Sequence, residues 1–100
     1  MPLQAARTVT AANQWTTPIQ INGWFNVSIS NATGGSLGGT TVTVQRSYDA
    51  VNYRDVDTWT KTSEDVGFEP DVCWYTIGVK SGEFVASCYV GFGVTGSIRA

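Results

Sequence analysis

From Trp24 to Ser30 the chain alternates residue by residue. Phe25, Val27 and Ile29 fall on one side, and Asn26, Ser28 and Ser30 on the other. A helix repeats every 3.6 residues and a strand every two, so this run predicts a half-buried strand. The same alternation marks Ile19 and Ile21. It returns from Thr40 to Ser47, where Val42 and Val44 oppose Thr41, Thr43 and Gln45. Composition agrees: there are 13 threonines and 12 valines but only two leucines, Leu3 and Leu37. Leucine is the main apolar helix former, whereas β-branched side chains are stiff and suit a pleated surface.

Turn residues divide the pattern. Asn22-Gly23 predicts a turn between the strand at Ile19 and the strand at Trp24. Residues 31–39 read as a flexible loop with two Gly-Gly pairs, and Ser47–Asn52 as a turn held by Asp and Asn side chains. The chain returns as a strand from Tyr53 to Thr60, and Ser63–Asp71 reads as an acidic loop. Residues 1–16 lack a strong pattern and read as an arm that orders against something else. The expectation is an all-β fold: an N-terminal arm (1–16) and one antiparallel β-sandwich or jelly roll (17–100) of about seven to eight short strands.

The last third predicts a hairpin. A Ser81-Gly82 loop pairs Val79 with Phe84, Ile77 with Ala86, Tyr75 with Cys88 and Cys73 with Val90, all on one nearly apolar face. Cys73 and Cys88 then lie diagonally, beyond the ~7 Å that a disulfide spans. Two buried free thiols are expected; a register shift of two residues would instead place them opposite each other.

Charge narrows the partners. The net charge is −2, and the six basic residues are scattered. Nucleic-acid binding requires clustered Lys and Arg, so no nucleic-acid partner is expected. No stretch reaches the ~18–20 apolar residues of a membrane span, and no signal peptide is read at the N-terminus. Asn26-Val27-Ser28 and Asn31-Ala32-Thr33 match the glycosylation sequon and are taken as chance matches.

The sequence contains no histidine. A Ser-His-Asp or Cys-His site is therefore impossible, and a zinc site is disfavoured. No catalytic residue, metal or cofactor is expected. Asp55, Asp57, Glu64, Asp65, Glu69 and Asp71 form an acidic group, read first as a solvated loop, with ion binding and carboxylate catalysis as the other readings. Aromatic residues are the better candidates. The hairpin sets Trp74 opposite Tyr89 on its outward face, where the pair is either a partner anchor or a sugar-stacking platform, or is covered by the arm. Trp15 and Trp24 pose the same question, and Trp59 reads as core or rim.

Two runs, Thr41-Val42-Thr43-Val44-Gln45-Arg46-Ser47-Tyr48-Asp49 and Tyr53-Arg54-Asp55-Val56, resemble a segment of small phage virion proteins, V-x-V/L-Q-R-S-x-D-G-x-x-W/Y-x-x-V. With Trp24–Ser30, the resemblance covers residues 24–60. Ser47 and Asp49 are also similar to the Asp-box of sialidase-type propellers, but Val51 and Arg54 depart from it, and that box is a structural turn. The virion resemblance implies a capsid decoration (cement) protein: non-enzymatic, on the capsid surface, made in the host cytoplasm. Its partners would be the major capsid protein and copies of itself, as a trimer or dimer. The expected interface residues are Trp15, Trp24, Trp74 and Tyr89. The alternative is a carbohydrate- or receptor-binding module of a tail, or another small tail or neck component.

Overall fold

The computed structural model of the chain describes residues 3–31 and 37–94. It is all-β there, with seven strands: β1 Leu3–Val9, β2 Gln14–Trp15, β3 Ile19–Ser30, β4 Val42–Ser47, β5 Arg54–Trp59, β6 Ser63–Val79 and β7 Cys88–Val94. Every pairing is antiparallel, in one open sheet of order β1-β7-β3-β6-β4-β5, with β2 beside β6. The all-β, sandwich-like expectation holds.

Strand β6 runs 17 residues and serves both halves of the sandwich. Ser63 to Glu69 and Cys73 to Tyr75 pair with β3, and Trp74 to Gly78 pair with β4. Between them the register against β3 slips: Ile21 faces Cys73 and Gly23 faces Glu69, leaving Asn22 opposite three residues, Pro70 to Val72. Proline has no N–H for a ladder, and a bulge accommodates it. Gly23 takes φ +94° there, which a side chain would strain. Asn22 Nδ2 donates to the Asp71 carbonyl at 2.9 Å and closes the gap. A bulge of this kind bends the strand that carries it.

Both halves contribute to one core. Phe25, Val27, Ile29, Val90 and Phe92 meet Val42, Val44, Tyr75, Ile77 and Val79. At its centre the Phe25 ring lies 5.0 Å from Tyr75 and 6.1 Å from Phe92, in tilted and edge-on arrangements that aromatic pairs prefer.

Four local expectations are corrected. Asn22-Gly23 is a bulge inside β3, not a turn. Residues 63–71 are the first half of β6, not a loop. The arm belongs to the sheet: β1 pairs with β7, and residues 13–16 bond to β6 through Asn13 N–H to Val79 O and Thr16 N–H to Ile77 O. The hairpin of β6 with β7 does not form, because β7 lies between β1 and β3. The intervening segment leaves β6 and is held near β4 by Thr40, whose Oγ1 accepts from the Val85 and Ala86 amides and donates to the Ala86 carbonyl. The sequon Asn31-Ala32-Thr33 and the first Gly-Gly pair of its loop extend outside the described residues.

Candidate contact surface

The first half of β6 is polar inward and apolar outward. Its odd-numbered residues face the core. Gly67 lies under the Phe25 ring, where a Cβ would come within 2.5 Å of Cζ, and Glu69 is only 1% exposed. Its even-numbered residues face solvent, leaving Val66 72% and Phe68 54% exposed. Trp24 is the cross-strand partner of Phe68 and is 55% exposed; their ring centroids are 5.0 Å apart. Such a pair stiffens the sheet by ~0.5–1 kcal/mol. Three large apolar side chains therefore stand together on the outer face of β3 and β6.

Comparison with known proteins gives no identity. No protein family, no curated protein and no solved structure matches this chain.

The four residues expected at an interface do not form one cluster. Trp24 belongs to the exposed patch. Tyr89 is exposed on the same outward face, but opposite Ser30, about 20 Å along β3 from Trp24 at strand rise. Beside Tyr89 runs a shallow trough of about 260 Å³ between Ala6 and the polar row Asn26, Ser28 and Glu64, with Gly91 and Gly93 along it. A Cβ on Gly93 would stand 2.3 Å from Asn26 Oδ1, so only glycine lets that amide lie across the sheet. Ser28 Oγ donates to Glu64 in the same row. Trp74 is half-buried opposite Gln20 and Ser47, and does not pair with Tyr89. Its predicted partner was lost with the hairpin. Trp15 is also half-buried: its side chain covers Gly78, and its carbonyl accepts from Arg7 at 3.0 Å. Its role is to fasten β2 to the sheet. Phe68 and Val66, which complete the patch, were missed. Their signal was present as apolar residues alternating with Asp65, Gly67 and Glu69, the reverse of the usual polarity.

At the bend, Glu69 organises a polar knot. Its carboxylate accepts from Arg46 Nε at 2.5 Å and Nη2 at 2.8 Å, from the Tyr75 hydroxyl at 2.7 Å and from the Asp71 amide at 3.0 Å. The Arg46 fork chiefly holds the acid below the usual range, at about 2. Burial, then the adjacent carboxylate, pushes the Tyr75 hydroxyl upward. Arg46 also stacks on Tyr48, 4.6 Å from the ring centroid. Glu69 thus ties β4 to the turning point of β6.

The rest of the acidic group is dispersed. Asp55 bonds to Lys80 and Gln45. Among the described residues, no three His, Cys, Asp or Glu side chains converge as a metal site requires. Asp57 and Asp65 line a cleft of about 330 Å³ on the open side of the sandwich, above Phe25, Val27, Val44 and Tyr75. Trp59 donates Nε1–H to Asp65 Oδ2 across it at 2.7 Å. Cys73 and Cys88 are buried free thiols, and burial raises both above the usual thiol range.

Proposed function

We propose that this chain is a non-enzymatic virion structural domain of the capsid-decoration type, which docks on its neighbours through the outer face of β3 and β6. The observation that carries the reading is the Trp24–Phe68 pair, with Val66 beside it, exposed on the outer face of β3 and β6. Scattered apolar residues are ordinary on a protein surface, but an aromatic pair backed by a valine on a flat sheet is the composition of an interface centre. The resemblance of residues 24–60 to phage virion proteins supplies the virion context. Docking of this kind adds free energy only to the assembled shell and stabilises it by mass action.

Light scattering on protein eluting from a sizing column, paired with co-sedimentation with phage heads, tests the reading. Wild type should elute as a dimer or trimer and bind heads. Trp24→Ser with Phe68→Ser should weaken both while lowering stability only by the ~0.5–1 kcal/mol of the pair, so that the fold persists. A wild-type monomer whose head binding ignores the double variant overturns the proposal. The trough beside Tyr89 would then favour the carbohydrate-binding alternative.

A further inference from the structure

The open side of the sandwich carries a separate feature. Cross-strand partners share a face, so Asp57 opposite Val44 and Asp65 opposite Val27 stand on the core-facing side of their strands, and both stay exposed at its open rim. Sandwich strands normally place apolar residues at such positions. An inward charge guards an edge strand against mispairing. Edge protection alone does not explain why the two acids rim a cleft of about 330 Å³ floored by Phe25, Val27 and Tyr75, with Trp59 lying across it. Among the described residues, no lysine or arginine lines that cleft.

We propose that the cleft binds a small organic cation: an apolar body carrying a primary ammonium group. The floor receives the body, and the indole of Trp59 offers a cation a favourable face. The carboxylates receive the ammonium as charge-assisted acceptors. Trp59 occupies Oδ2 of Asp65 and the Thr58 amide occupies Oδ1 of Asp57, which leaves the second oxygen of each acid to accept the ligand. The volume is at the small end of ligand pockets, so the body is about one aromatic ring with a short tail. A neutral ligand of the same shape gains the floor without the charge, and an anion is repelled by both acids. The cleft opens on the inner side of β6 and shares Val66 with the Trp24–Phe68 patch, whereas Asp57 and Trp59 belong to β5.

The test is a titration of ¹⁵N-labelled protein with phenethylammonium, 2-phenylethanol and phenylacetate. The readout is the Trp59 indole N–H resonance, assigned with Trp59→Phe. Phenethylammonium should shift that resonance saturably. The neutral alcohol should bind about fivefold more weakly, the scale of one half-exposed ion pair, and the carboxylate more weakly still. Asp57→Asn leaves the Trp59–Asp65 bond in place; it should cost the ammonium about fivefold in affinity and leave the alcohol unchanged. Asp65→Asn is the second variant, with a dispersed spectrum as the check on folding. Equal binding of all three probes, an ammonium affinity indifferent to both substitutions, or an unmoved Trp59 resonance would overturn the proposal.

Discussion

Among the described residues Glu69 is the most deeply buried acid, and four donor contacts hold it ionised at the bend of β6. Its pKa falls from an ordinary 4.5 to about 2 on folding. A depressed carboxylate stabilises the native state fully above its unfolded pKa, and that contribution disappears as pH falls through the folded value. The urea midpoint should therefore decline as pH is lowered from about 5 towards 2. Asp49 adds to the same slope, because the Asn52 and Val51 amides hold it well below the carboxylate range. Glu69→Gln should flatten the slope without abolishing it. At pH 7 it should cost about 2–3 kcal/mol, since Arg46 and Tyr75 lose a charged acceptor. An acid limb identical to wild type would mean that Glu69 titrates alike in both states.

Among the elements, β2 shows how a two-residue strand is kept in place. A Cβ at Gly78 would meet the Gln14 carbonyl at 2.2 Å and Trp15 Cα at 2.8 Å, both backbone atoms. Gly78→Ala should therefore push β2 off β6. The Asn13 and Thr16 amides, which bond to Val79 O and Ile77 O, should then exchange with solvent much faster, while amides of β3 and β7 keep their protection. Uniform loss of protection would show instead that β2 is part of the cooperative core. Elements also show what a sequence makes legible. Alternation located β3, β4 and β7 because their apolar residues point inward as usual. It failed on residues 63–71 because Val66 and Phe68 point out while Asp65 and Glu69 point in, which resembles a loop. It assigned β7 to β6 because parity fixes which face a residue takes and leaves its neighbour open: Val90 and Phe92 face inward equally well beside β1 and β3. The candidate surface suffered accordingly. Trp24 and Tyr89 were found by their chemistry, Phe68 was hidden by inverted polarity, and Trp74 was given a partner that the topology removes.

The first and last strands are neighbours, since Leu3 pairs with Val94 across the β1–β7 ladder. Such long-range pairing makes folding slow and leaves the final strand indispensable. A chain ending at Ser87 loses β7, and with it Val90 and Phe92, which are 0% and 3% exposed. At ~1.5–3 kcal/mol for each such side chain, that loss rivals the ~5–15 kcal/mol stability of a whole domain. The truncated chain should show no cooperative urea transition. A chain beginning at Thr10 loses only edge strand β1, with Ala5 and Val9 from the core, and should unfold cooperatively at a lower midpoint. The opposite pattern would contradict the strand order. Removing residues 1–16 would delete β1, β2 and the buried Thr16, whose Oγ1 accepts from the Ile77 amide. A loss of binding in that chain would report a weakened sheet as readily as a missing contact. Substitutions at Trp24 and Phe68, exposed on two strands that keep all their pairings, separate the two.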